Sequence, residues 1–186
     1  VSRIILSLSV SVDGMFEDAD GTLEWQTIDE ELHQYLNDEL RSAGAFVSGR
    51  VTYEMMEGYW PTAHTEPNAP APILDFAEIW QRVPKVVYSR TLDVVGPNAT
   101  LVRSVVPSEV HELRERSHGD LYVGGPVLAA SFLHHGLVDA VVVYVHPVVL
   151  GSGRPMFNGG LEALPLALED TKVFSSGVVM LRYGRR

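Results

Sequence analysis

Asp120-Leu-Tyr-Val-Gly-Gly-Pro-Val-Leu-Ala-Ala-Ser-Phe-Leu133 puts a short buried strand, two glycines and a helix start into one run. Leu121, Tyr122 and Val123 read as the strand. Gly124 and Gly125 have no Cβ, so a ligand or another backbone can come close and unusual dihedrals cost little. Pro126 suits a first helical position. Val127, Leu128, Ser131 and Leu133 continue at helical spacing, and Gly136 is the expected stop. A helix that starts just past a strand end leaves unpaired amides and a partial charge of about +0.5 facing whatever sits there. The junction therefore has the outline of a phosphate cradle. A tight strand-to-helix turn with no ligand accounts for the same residues.

Working outward, Ile4 to Val12 alternates: Leu6, Leu8, Val10 and Val12 stand among Ser7, Ser9 and Ser11, which predicts a strand with one large-residue face and one small hydroxyl face. The small face either leaves room or meets solvent. Asp13-Gly14 breaks the strand, and Met15 to Trp25 has no period and reads as a flexible loop. Ile28, Leu32, Tyr35, Leu36 and Leu40 form a helical stripe, with Thr27 as N-cap and Glu30 completing a capping box. Ala45 to Val47 is a short strand. Ser48-Gly49-Arg50 then turns into a helix over Val51 to Glu57, a second strand, glycine and helix junction. Tyr59 to Pro72 holds four of the eleven prolines and reads as an irregular excursion. A helix over Ile73 to Gln81, a strand over Lys85 to Tyr88 closed by Ser89-Arg90, a turn and short strand within Asp93 to Arg103, and a helix over Pro107 to Arg116 follow. This alternation predicts an α/β fold with a mostly parallel sheet. After Gly136, a β-branched run over Val138 to Leu150, a short strand near Leu166 to Leu168 and a last strand within Val173 to Arg186 leave no room for crossover helices. The end of the sheet should be antiparallel.

The 186 residues suit one domain, large enough to bury about 70% of the surface of the unfolded chain. A formal net charge of −10 argues against a nucleic-acid surface and against anionic membranes. It permits an anionic small ligand, because screening beyond roughly 8 Å leaves local arginines in control. There is no cysteine, no apolar run of bilayer length and no histidine pair at metal-binding spacing. A cytoplasmic protein without a metal site is the expectation. Gly151-Ser-Gly153-Arg-Pro follows a strong strand but is no dinucleotide fingerprint, since Phe157 holds the sixth position and Pro155 interrupts a helix.

Taken in order, Ser11-Val-Asp-Gly14, Gly21-Thr-Leu-Glu-Trp25, Val47-Ser-Gly-Arg-Val-Thr-Tyr-Glu54, Val87-Tyr-Ser-Arg90, Tyr122-Val-Gly-Gly-Pro126 and Val149-Leu-Gly-Ser-Gly-Arg-Pro-Met-Phe157 resemble the dihydrofolate reductase fold. Within it they resemble the reductase domain of bifunctional riboflavin-biosynthesis proteins and its stand-alone bacterial relatives. The resemblance implies a three-layer α/β domain over residues 1–186, with a mixed sheet of about eight strands between helices on both faces, binding NADPH across its strand ends. By resemblance, Gly49, Arg50 and Thr52 hold the cofactor's phosphates, and Ser89 and Arg90 surround its 2′-phosphate. Gly124 and Gly125 match a pair that is joined by a cis peptide in dihydrofolate reductases, with Pro126, Val127 and Leu128 opening the helix toward the diphosphate. Ser9 and Phe16 fall where the nicotinamide is lined. Two helix starts flanking two arginines agree with that assignment on charge alone.

On the catalytic side, the carboxylate that dihydrofolate reductases carry on the first helix lands at His33, with Glu31 beside it, and the flanking sequence does not match. Folate is thus a weaker candidate than a pyrimidine of the riboflavin type. Asp13, shared with the riboflavin-type reductases, is the first choice for polar anchor or proton donor, with Glu31 or His33 assisting. Asp13 capping its own turn is the competing reading. The leading expectation is an NADPH-dependent reductase of a small heterocyclic or carbonyl substrate. The alternatives are a nucleotide-binding module without efficient turnover and a flavin-binding protein. The apolar run Val138 to Leu150 and the Tyr59-Trp60 loop fit burial in a homodimer or inside one chain.

Overall fold

The strand Ile4–Ser11 (β1) runs through the middle of the protein, and the computed structural model describes it within residues 2–157 and 161–186. Its even-numbered residues Leu6, Leu8 and Val10 enter one core and Ile5 enters another, so alternation alone sets two faces of the sheet. Ile4, Ile5 and Leu6 are fully buried, and each such side chain contributes roughly 1.5–3 kcal/mol of burial. After β1 come Met15–Glu17 (β2), Glu30–Leu40 (α1), Ala45–Gly49 (β3) and Arg50–Glu57 (α2). Next are Ala71–Arg82 (α3), Lys85–Tyr88 (β4), Ala99–Val102 (β5), Pro107–Arg116 (α4), Leu121–Gly124 (β6) and Pro126–His134 (α5). Ala140–His146 (β7), Arg154–Pro155 (β8), Leu166–Val173 (β9) and Val179–Arg185 (β10) complete the chain.

Eight strands form one sheet in the order β5-β4-β3-β6-β1-β7-β10-β9. The pairs from β5 to β7 are parallel, and β10 pairs antiparallel with both β7 and β9. Helices connect the parallel strands except β4 and β5, which are joined by residues 89–98 without one, and the antiparallel end, where a short turn joins β9 to β10, agrees with the residue pattern. Val110 of α4 and Leu128, Ala129 and Phe132 of α5 pack on one face. Leu32 of α1, Tyr53 of α2, and Phe76, Ile79 and Trp80 of α3 pack on the other. The fold is a three-layer mixed α/β arrangement.

Several local expectations need correction. Asp29, not Thr27, caps α1: its Oδ1 accepts from the Leu32 amide at 2.9 Å, and Glu30 becomes the first helical residue. The Thr27 amide instead donates to His146 Nδ1 at 3.1 Å. The loop after β1 contains β2, which pairs with β8 as a separate two-stranded ribbon. Strand β9 spans eight residues where a short piece near Leu166 was expected. Among the described residues no peptide bond is cis, so the Gly124–Gly125 bond is trans and the sharp turn is made by Gly125 at φ +86°. The apolar run around β7 is covered within the chain by β1 and β10, and Trp60 packs on Phe76 with ring centroids 4.4 Å apart. No helix among the described residues is long and apolar enough to cross a membrane.

Candidate active site

Parallel strands end on one edge, so the loops after β3, β4, β5 and β6 converge, and a crevice at such an edge is where ligands of open α/β sheets bind. Here they border a cleft of about 650 Å³. Gly49, Arg50, Thr52, Ser89 and Arg90 line it, from the starts of α2 and of the loop after β4. Gly125, Pro126, Val127 and Leu128 line it from the start of α5, and Phe16 from β2. Both helices have glycine N-caps, which bring no side chain to occupy the first-turn amides. Those amides are left for a ligand. At Gly125 a Cβ would meet Thr52 Oγ1 at 2.7 Å, so the two helix starts approach each other as closely as glycine permits.

Four guanidinium groups stand on the cleft wall: Arg50, Arg90, Arg103 and Arg154. Arg50 Nη1 is 2.7 Å from Glu54 Oε2, and Arg154 Nε is 2.9 Å from Glu17 Oε2. Arg103 Nη1 donates to the Ser89 and Leu92 carbonyls at 3.1 and 2.5 Å. The Thr91 and Leu92 amides donate to Ser89 Oγ at 3.1 and 3.0 Å. The loop following β4 is thus clamped from two sides, with Arg90 exposed at its tip. Cationic groups and bare amides around one cleft suit a multiply phosphorylated ligand, and bidentate guanidinium geometry suits phosphate in particular.

Two residues in this wall, Arg103 and Arg154, were not anticipated. Arg154 lies inside the glycine-rich segment already quoted, and Arg103 follows β5, whose Val102 pairs with Tyr88 of β4. Parallel pairing of those two strands was the signal that would have placed Arg103 beside Ser89. Ser9 and Gly124 do not line the cleft. Ser9 sits half-buried on β1 opposite Tyr144, and Gly124 borders a neighbouring pocket.

The three ionisable residues expected to assist catalysis do not form one cluster. Asp13 is exposed, accepts from Ser11 Oγ at 2.6 Å and from the Leu150 and Gly151 amides at 3.1 and 2.8 Å, and thereby ties the end of β1 to the segment after β7. Those bonds, the Ser11 hydroxyl first, hold its carboxyl at about 2, so at neutral pH it carries no proton to give. Glu31 accepts from the Ser175 amide and hydroxyl at 3.0 and 2.6 Å, which lowers its pKa and fastens α1 to the turn between β9 and β10. His33 packs edge-on to Trp60, centroids 5.9 Å apart, and burial pushes its pKa down although the charge of Asp75 opposes this.

The Asp13 carboxyl has a folded-state pKa below its ordinary value of 3.8, so it contributes stability above that value, and the contribution is lost as pH falls through about 2. Denaturant midpoints measured from neutral pH downward should show Asp13→Asn less stable than wild type, with the gap closing below about pH 4. A gap that stays constant through the acid range would mean that the carboxylate charge is not what ties the loop.

The sheet order and the strand-edge cleft with its cations define a mixed α/β domain with a ligand-sized crevice at the ends of its parallel strands. A family model for the RibD C-terminal domain matches residues 2–180, and the chain belongs to that family. It is 31% identical over 185 residues to the uncharacterized protein YyaP of Bacillus subtilis (strain 168), covering 97% of this chain and 94% of that one. Among solved structures it resembles a putative riboflavin biosynthesis protein from Shewanella sp. PV-4, with TM-score 0.73, 22% identity and 99% of each chain covered. It also resembles dihydrofolate reductase from Enterococcus faecalis, complexed with NADP(H) and RAB-propyl, with TM-score 0.66, 12% identity, and 99% and 96% of the two chains covered. The fold is that of the dihydrofolate reductase-like proteins.

Proposed function

We propose that the protein is an NADPH-dependent reductase that delivers a hydride to a small heterocyclic or carbonyl substrate. The observation that carries this reading is the 650 Å³ cleft, where two glycine-started helices and four arginines face one space. In it the first-turn amides of α2 and α5 would hold the diphosphate, Arg50 and Arg90 the 2′-phosphate, and Phe16 the wall beside the nicotinamide. When bound, NADPH would supply the hydride and become NADP+, and the acceptor's carbon would take that hydride while its partner heteroatom takes a proton from solvent. The chain contributes orientation and charge compensation, with no ionised side chain needed at the reacting atoms. The separation of Asp13, Glu31 and His33 favours a second reading: a nucleotide-binding module without efficient turnover.

One experiment separates the two. Titration with NADPH and NADH, followed by NADPH oxidation assays with pyrimidine, pterin and quinone acceptors, should give tight NADPH binding and turnover with at least one acceptor. Tight binding with no oxidation would select the module, and no binding would remove both readings.

A further inference from the structure

The ends of β1 and β7 lie under the loop that joins β2 to α1, and beneath that loop sits a histidine that takes no part in lining the cleft. His146, the last residue of β7, stands opposite Ser11 of β1, and alternation puts it on the same face as Tyr144, toward α1. It is fully buried. Its Nδ1 accepts from the Thr27 amide at 3.1 Å, and the Trp25 ring meets it edge-on, with centroids 5.5 Å apart and planes at 85°. Its Nε2 is buried without a partner among the described residues. A backbone amide can only donate, so Nδ1 is the bare nitrogen, Nε2 carries the proton and the ring is neutral.

The segment this ring holds continues the cleft wall. Phe16 and Glu17 line the cleft; Asp18 then accepts from the Thr22 amide and hydroxyl at 2.7 and 2.6 Å, and Trp25 Nε1 donates to the Thr22 carbonyl at 3.2 Å. Residues 18–25 are thus one bonded turn. Pairing of β2 with β8 fixes its near end and His146 its far end. The charged groups on the elements around the ring are engaged elsewhere or face solvent. Asp13 is bonded to Ser11 and to the Leu150 and Gly151 amides, Glu17 to Arg154, and Asp29 to the Leu32 amide. Glu31 is bonded to Ser175, Lys172 lies over the Tyr35 and Phe174 rings, and Asp20, Glu24 and Glu30 are exposed. Burial alone pushes the ring's pKa below its ordinary 6.5.

We propose that His146 is a proton-operated latch: neutral, it holds residues 18–27 on the ends of β1 and β7, and protonated, it releases them and bares the flank of the strand-edge cleft. Access to the cleft is what the latch controls, whichever ligand the cleft takes. A second ring proton would turn the acceptor facing the Thr27 N–H into a donor, and would leave a positive charge out of reach of water with no carboxylate paired to it. Release lets both nitrogens reach water. The released ring titrates near 6.5 and the latched ring lower, so the latched form prevails at neutral pH. As pH falls below about 6.5 the ratio of released to latched chains rises by up to about tenfold per pH unit, until the latched ring itself takes a proton.

Hydrogen exchange of the Thr27 amide, followed by NMR at about pH 7.5 and about pH 5 and corrected for the intrinsic pH dependence of exchange, reads that ratio. Protection of Thr27 should fall at least about tenfold at the lower pH, while the Leu6 amide in the middle of the sheet keeps its own. His146→Asn separates the proton from the bond, because an asparagine oxygen can stand where Nδ1 stands and does not titrate. In that variant Thr27 should stay protected, within about twofold, at both pH values. The wild-type ring gives a measurement that needs no variant: its nitrogen shifts should show a proton on Nε2 alone at neutral pH, and a transition in step with the loss of Thr27 protection. Unchanged Thr27 protection in wild type, an equal loss in wild type and His146→Asn, or a loss shared by Leu6 would each overturn the latch. So would a ring that carries both protons at neutral pH.

Discussion

Arg50→Ala combined with Arg90→Ala should raise the dissociation constant for NADPH about a hundredfold while that for NADH changes about threefold or less. A charge-assisted hydrogen bond contributes about 1.5–3 kcal/mol, and two of them directed to one extra phosphate account for the difference between the dinucleotides. On the proposed reading the diphosphate common to both would rest on the first-turn amides of α2 and α5, whose glycine N-caps the substitutions leave in place. Arg50 is paired with Glu54 at 2.7 Å, so its removal also leaves an unbalanced carboxylate near the ligand. Glu54→Gln is therefore the useful control: it releases the guanidinium and should tighten NADPH slightly. Fluorescence titration of both dinucleotides at two salt concentrations reads the result, and the discrimination should shrink as salt rises. Equal losses for NADPH and NADH would mean that neither guanidinium reads the 2′-phosphate.

The parts of this fold that the sequence displays are those where one local rule settles the answer. Alternation in Ile4 to Val12 places the large residues in the core, and two glycines between Val123 and Pro126 mark where β6 becomes α5. Paired junctions of this sort, at Gly49 and at Gly125, are why the cleft was legible before its geometry was known. What stayed hidden depends on pairing between distant segments. Met15–Glu17 has no periodicity of its own and becomes a strand only because Arg154–Pro155 lies against it. Strand β9 reads poorly because it is an edge with an exposed Glu-Asp-Thr centre, where burial imposes no alternation. At α1 two acceptors competed for the cap. Asp29 sits where its carboxylate reaches the Leu32 amide, while Thr27 is held through its own amide by His146, more than a hundred residues away in sequence.

The pocket next to the cleft, about 180 Å³ and lined by Ser7, Phe46, Phe76, Trp80 and Tyr122, was legible only as a run of small residues on β1. Ser7, Ser9 and Ser11 announce a face with space over it, yet nothing local says whether that space meets solvent or ring systems. The walls come from β3, α3 and β6, and their convergence is a property of the β3-β6-β1 neighbourhood in the sheet. Asp13 illustrates the opposite limit. Its position after β1 suggested both an anchor and a proton donor, and only the structure reveals that the Leu150 and Gly151 amides donate to its carboxylate.

Gly153→Ala should lower stability by about 2 kcal/mol and weaken NADPH about tenfold. Gly153 has φ +135°, a region that side-chain-bearing residues avoid, and an added Cβ would collide with the Glu17 carbonyl oxygen and lie 3.0 Å from Asp18 C. Both neighbours are backbone, so no rotamer change relieves the contact. Relief requires β8 to move off β2, which breaks the pairing of Arg154 with Glu17 and displaces the wall that Phe16, Glu17 and Arg154 give to the cleft. Gly151→Ala separates conformational strain from collision. Its φ is +73° with open space around the new Cβ, so it should cost only about 1 kcal/mol and leave NADPH affinity unchanged. Denaturant unfolding and NADPH titration of the two variants, taken together, test whether the ribbon is part of the binding wall. A Gly153→Ala protein that is destabilised yet binds NADPH as wild type does would show that the ribbon supports the fold without shaping the cleft.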